Sequence, residues 1–173
     1  MDPTYGTHVK LLAFDFLSLT QKSSSDPICF YRKGRPVSRA ETVGVVVSRE
    51  RKGDKFLKFL VDDGTGCIPC ILWLNHLNSP YFSRCNPSDV RLMADMAAGF
   101  AEEIKLGALA RVRGRITSYR GALQITVSDV FVERDPNAQI SYWLDSIRLA
   151  VNCYNVLPSP NFLKHHHQQN HKR

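Results

Sequence analysis

No apolar run in the sequence approaches the ~18 residues a membrane-spanning helix needs, and no basic-then-apolar stretch opens it. Cysteine is sparse and odd in number, at Cys29, Cys67, Cys70, Cys85 and Cys153, with no repeating pattern. Without a signal stretch, such a set reads as reduced thiols of an intracellular protein rather than a disulfide framework. Cys67-Ile68-Pro69-Cys70 has the spacing of half a zinc site, but no second pair accompanies it. In a strand, moreover, residues i and i+3 point to opposite faces. Asp62 and Asp63 begin like a calcium loop, yet the bidentate Glu that closes one is missing. Also absent are a Walker lysine loop, a nucleophile elbow, an HExxH helix and any internal repeat. The expectation is a non-enzyme with no cofactor and no metal site.

What is present fits one domain. The 173 residues are 43% hydrophobic, with 9 Phe, 6 Tyr and 2 Trp, enough to bury a core. Lys and Arg number 23 against 16 Asp and Glu, a net charge of +7. That balance favours an anionic partner, of which nucleic acid is the commonest, although a solvated basic surface has the same count.

Five strands are expected: Thr42 to Ser48, Lys55 to Val61, Cys67 to Trp73, Leu109 to Tyr119, and Ala122 to Glu133. Asp62-Asp63-Gly64-Thr65-Gly66 is the strongest hairpin signal, and Arg120-Gly121 joins the last two strands. In the fourth strand Ala110, Val112, Gly114 and Ile116 alternate with Arg111, Arg113, Arg115 and Thr117. A helix from about Asp89 to Ile104 follows the third strand, with Met93, Met96, Ala97, Phe100 and Ile104 on one face.

Three strands, a helix and two strands is the order of the OB fold. The expected class is therefore mainly β, a five-stranded OB-fold barrel with a helix between strands three and four and a C-terminal helix. Gly44 and Gly114 fall where strands must bend to close it. A last helix begins at Asp135-Pro136 and reaches about Tyr154, with Ile140, Trp143, Leu144, Ile147, Val151 and Tyr154 in one stripe. The expected division is an N-terminal extension (1–27), the OB domain (28–134), a partner-binding helix (135–157) and a disordered, His-rich tail (158–173).

OB folds take single strands across strands two and three, between the loops that join strands one to two and four to five. The first loop carries Arg49, Arg51, Lys52 and Lys55, and the second Tyr119 and Arg120. Cations for phosphates and flat rings for bases are what a single strand requires. Phe56, Lys58, Phe59 and Trp73 belong to strands two and three, where half must be core and a one-residue slip exchanges the faces. Arg111, Arg113 and Arg115 are either a phosphate track or the solvated back of their strand. The C-terminal stripe exceeds what a barrel with one end already plugged requires, so it is expected to face another subunit.

With these elements in place, the sequence resembles a known family. Phe30-Tyr31-Arg32-Lys33-Gly34-Arg35-Pro36-Val37 runs into Val43-Gly44-Val45-Val46-Val47-Ser48-Arg49-Glu50. Together with Val61-Asp62-Asp63-Gly64-Thr65-Gly66, Cys70-Ile71-Leu72-Trp73, Val112-Arg113-Gly114-Arg115-Ile116 and Tyr119-Arg120, this stretch is similar to the Suppressor-of-cdc-thirteen subunit of the telomere-capping CST complex. That subunit is a relative of the middle subunit of replication protein A. The resemblance covers roughly residues 28–155. It implies a nuclear, telomeric protein that protects the single-stranded overhang and assists DNA polymerase alpha–primase in fill-in. The implied partners are the large subunit and the small OB-fold third subunit of CST. Ile140, Trp143, Leu144 and Ile147 would face the small subunit, with Asp62 at the edge, and Trp73 and Arg120 would lie near DNA. Many relatives carry winged-helix domains after the OB domain, and this chain resembles the short plant-type members. A general replication protein A middle subunit, an assembly module without nucleic-acid contact, and an RNA-binding module of translation are the other readings.

Overall fold

The structure, a computed structural model, describes residues 4–22 and 29–156. In chain order the elements are β1 (His8–Lys10), α1 (Ala13–Leu17), β2 (Thr20–Lys22), β3 (Cys29–Arg32), β4 (Arg35–Val37) and β5 (Arg39–Lys52). There follow β6 (Phe56–Asp62), β7 (Cys67–Trp73), α2 (Pro87–Glu103), β8 (Leu109–Tyr119), β9 (Ala122–Val132) and α3 (Ala138–Leu149). The expected His-rich tail (158–173) lies outside the described residues.

β5, β6, β7, β9 and β8 are neighbours in that order, and β8 pairs again with β5, so the sheet closes on itself as a ring. One long strand closes it. Arg39 to Val45 of β5 pair with β8, and Val45 to Lys52 pair with β6. Gly44 sits at this change of partner, where an added Cβ would lie 2.3 Å from the carbonyl oxygen of Asp62. At Gly114, beside a bulge in β8–β9, it would lie 2.1 Å from that of Thr126. No side chain fits either crossing, which is the physical reason for glycine at both expected bends.

The expected alternation holds. Ala110, Val112 and Ile116 of β8 and Leu57, Phe59 and Val61 of β6 are buried, and their neighbours face outward. α2 differs in two respects. It starts earlier than Asp89, because Asn86 accepts a hydrogen bond from the Ser88 N–H at 3.1 Å and Pro87 takes the first turn. Its buried face is Val90, Ala97 and Ala101, with Ile104 just beyond, while Met93 and Met96 are exposed. Hydrophobicity ranks Met above Ala, but the alanines let the helix approach the ring closely, so that face turns inward.

The segment before residue 22 is built into the same core. β1 runs parallel to β5, and Val9, Leu11, Ala13, Phe16 and Leu19 are buried with the ring's interior. Asp63 organises the junction. Fully buried, its carboxylate accepts from the Ala13 N–H at 2.6 Å and from the Thr65 N–H and hydroxyl at 2.8 and 2.7 Å. The acidic hairpin turn therefore also caps the start of α1.

β2, β3 and β4 form a separate antiparallel sheet. From it Arg32 reaches Asn155 Oδ1 at 2.8 Å and Asp15 at 3.0 Å, and Arg35 donates to the Cys153 carbonyl at 2.6 Å. These two arginines of the recognised motif clasp the end of the last helix.

α3 begins at Ala138 rather than at Asp135. Asp135 instead makes a turn, its carbonyl accepting from the Ala138 N–H at 3.0 Å and its carboxylate from that of Asn137 at 2.9 Å. The helix ends in a π-helical turn, Ala150–Tyr154. Its inward face is Ala138, Tyr142 and Ser146. The Tyr142 phenol lies against the carbonyl oxygens of Leu11 (3.2 Å) and Glu41, and burial pushes its pKa far above the ordinary value.

Candidate nucleic-acid interface and partner face

On the outer face of β6 and β7, Phe56 stands directly opposite Trp73 in the strand register, their rings edge-to-face at 5.6 Å. Lys58, two residues along on the same face, places its Nζ 5.3 Å from the Phe56 ring centroid and 5.5 Å from that of Tyr119. Arg120 holds its guanidinium 5.3 Å from the same Tyr119 ring. The result is one ladder of alternating rings and cations: Trp73, Phe56, Lys58, Tyr119, Arg120. Trp73 is 41% and Tyr119 53% exposed. Phe59, by contrast, is core, which resolves the ambiguity of faces in β6.

The β8–β9 turn presents the ladder's tip. Arg120 (φ +52°) and Gly121 (φ +81°) are both left-handed, as a two-residue hairpin turn of mirror-image type requires. Cation–π contacts at exposed sites contribute ~0.5–1 kcal/mol, and a base stacked on a ring ~1–3 kcal/mol. A base can therefore displace a cation from the Tyr119 face and gain on balance.

The β5–β6 loop divides the residues singled out there. Arg49 is spent on the fold: it donates to the carbonyls of Ile104 at 2.8 Å and Ala101 at 3.0 Å, closing the last turn of α2. Arg51 is held by Glu102 at 3.1 Å, by Asp54 at 3.7 Å and by the Gly53 carbonyl. Lys52 and Lys55 are exposed and carry no ion pair among the described residues. Of the β8 arginines, Arg111 and Arg113 are tied to carboxylates, whereas Arg115 is exposed and carries no ion pair among the described residues. Glu41, its side chain 5% exposed, takes Arg111 at 2.8 Å on one oxygen and Arg113 at 2.6 Å on the other. Arg111 also meets Glu133 at 2.6 Å. Burial opposes the Arg111 charge, but the bonds to Glu133 and Glu41 outweigh it and raise its pKa.

α3 presents a second surface. Ile140, Leu144, Ile147 and Val151 are each more than half exposed and lie on one side of the helix. Trp143 leaves this stripe: its indole packs over Gly64 of the β6–β7 turn, and its buried Nε1 has no hydrogen-bond partner among the described residues. Tyr154 leaves it too, its hydroxyl accepting from the Lys10 N–H at 3.3 Å and its ring lying under Arg32. Asp62 accepts from the Gly64 N–H at 2.7 Å in that same turn, which brings it to the Trp143 side of α3.

Cys67 is exposed and Cys70 buried, on opposite faces of β7, and burial pushes the Cys70 thiol up. Among the described residues no group of three potential metal ligands comes together. No helix among them is long and apolar enough to cross a membrane.

Phe56 and Lys58, whose face the sequence left open, lie in the ladder, and the contributors that sequence alone missed are the Asp63 cap and Tyr142. Alternation over β6 contained the first pair, once the register was known. Tyr142 lies between Ala138 and Ser146 at helical spacing, and that was its only signal.

Residues 41–133 match the family model described as an OB-fold nucleic acid binding domain. Two solved structures share the fold: the S. pombe Stn1-ten1 complex (TM-score 0.64, 18% identity, covering 84% of this chain and 93% of that one) and a replication protein A heterotrimer bound to ssDNA (TM-score 0.63, 20% identity, 84% and 96%). In sequence, the chain is 50% identical over 150 residues to the Arabidopsis thaliana protein named CST complex subunit STN1, spanning 87% of this chain and 93% of that protein. The chain belongs to the family of CST complex subunit STN1.

Proposed function

We propose that this chain is a non-catalytic subunit of a CST-type telomere-capping complex, holding single-stranded DNA across the Trp73–Arg120 ladder and a smaller OB-fold subunit along α3. The observation that carries the reading is the ladder. Two aromatic strand residues, a lysine and a Tyr-Arg turn converge on the outer face where OB folds take single strands, and none of them is needed for the core. Lys52 and Lys55 supply phosphate contacts at its margin, whereas Arg49 and Arg51 shape the loop.

The partner face has separate support. A continuous apolar stripe on α3 is left uncovered by the described residues, and the S. pombe relative with this fold is a complex with Ten1. In the nucleus, at the chromosome end, such a subunit protects the overhang and assists complementary-strand fill-in by DNA polymerase alpha–primase, with the large CST subunit sharing the strand.

The test is a titration with telomeric-repeat single strands, scrambled strands and duplex over a salt series. Single-strand binding that falls with salt and weakens at least about tenfold in the Tyr119→Ala, Arg120→Ala double variant is expected. Binding to duplex alone, or none at all, turns the reading to an assembly module that works through α3. For that face, Leu144→Asp should weaken association with the small subunit by at least ~2 kcal/mol without lowering stability; unchanged association removes it.

A further inference from the structure

The ladder's aromatic character does not stop at Trp73. Three residues further on, the connection from β7 to α2 folds into two short 3-10 turns, His76–Asn78 and Pro80–Phe82. Three rings gather there. His76 lies against Phe82 at 5.2 Å, and Tyr81 meets Phe82 edge-on at 5.0 Å. Tyr81 is 82% exposed, so core packing does not account for it. Beside the rings opens a cleft of about 780 Å³, lined by His76, Phe82 and, from α2, Arg91. That size falls in the ~300–1,000 Å³ range of ligand sites.

Charge and reach agree with the rings. From Leu74 to Arg91 the chain carries Arg84 and Arg91 against a single acid, Asp89. Both arginines are exposed, and neither has an ion pair among the described residues. The three-residue step from Trp73 to His76 spans at most about 11 Å, the rise of roughly three stacked nucleotides.

We propose that this connection is a second stacking platform for the same single strand. A strand leaving Trp73 continues over Tyr81 and Phe82, with its phosphates on Arg84 and Arg91. The site size of the domain is thereby longer than the ladder alone. The proposal rests on the ladder being the nucleic-acid site.

Oligothymidylates of about 4 and about 12 nucleotides, within the range of OB site sizes, separate the two. Tyr81→Ala with Arg91→Ala should weaken binding of the longer strand at least about fivefold, the weakest stacking of one base expressed as a ratio. The same variant should leave the short strand and the unfolding midpoint unchanged. Tyr119→Ala should weaken both lengths. If the Tyr81 and Arg91 variant loses nothing on the longer strand, or loses equally on both, the platform is overturned while the ladder stands. If the unaltered chain binds neither length, both readings fall.

Discussion

Arg111 and Arg113 sit on the same strand as Tyr119 and a few residues from Arg120, yet the two ends of β8 serve opposite purposes. At the start of the strand, each guanidinium is matched by carboxylates of Glu41, Glu133 and Asp129. At the turn, Arg120 and Lys58 lie against rings and carry no ion pair among the described residues. The first arrangement ties β5, β8 and β9 together and leaves little charge for a ligand. The second keeps its charge available and spends nothing on the core. A net charge of +7 therefore says less than where the acids lie: pairing, not count, decides which cations can meet phosphate.

The largest effect expected from this contrast is on stability. Glu41→Ala leaves two partly buried guanidiniums without their shared carboxylate. A fully buried broken pair costs ~3–5 kcal/mol, and the partial exposure of both arginines reduces this to roughly 2–3 kcal/mol. The urea midpoint reads it, and the folded fraction should bind single strands as before. A loss of binding beyond the loss of folded protein would erase the division of labour.

Tyr119→Ala should do the reverse. Binding weakens by ~1–3 kcal/mol, about 5- to 150-fold, while the unfolding midpoint stays within error. Tyr142→Phe removes one phenol from the carbonyls of Leu11 and Glu41 and should cost ~1 kcal/mol of stability, with strand affinity untouched. Smallest is Arg120→Gly. It relieves a non-glycine residue of its positive φ and should stabilise the hairpin by up to ~1 kcal/mol, while strand affinity falls. Stability and binding moving together at this position would contradict the view that the turn is strained for use.

The strand order, the alternation of β8 and the two bend glycines were all legible, because each depends on local pattern: period two, turn chemistry, or the lack of a Cβ. That Tyr119, Arg120 and Trp73 are exposed was legible for the same reason, since they lie at a turn tip and a strand end. What escaped depends on contacts between segments far apart in sequence. Arg49 reads as a free loop cation until α2 places two carbonyls beside it, 52 and 55 residues later. Asp63 reads as a turn residue until Ala13 delivers an N–H to it. On α2 the expected Ala97, Phe100 and Ile104 do pack on the core, but Met93 and Met96 face outward, because Ala permits the closer approach even though Met outweighs it in hydrophobicity. On α3 the stripe Ile140, Leu144, Ile147 and Val151 was read correctly as surplus to the core, but Trp143 was drawn off it by the space above Gly64.

The central claim is that the unpaired cations of the ladder, and not the paired ones of β8, meet the nucleic acid. It is tested most directly by the slope of log K against log salt for a single strand, in the unaltered chain, Arg120→Ala and Arg113→Ala. The account predicts a slope shallower by about 0.7 for Arg120→Ala, one phosphate contact on a single strand, and an unchanged slope for Arg113→Ala. A slope that flattens with Arg113→Ala and not with Arg120→Ala would contradict it.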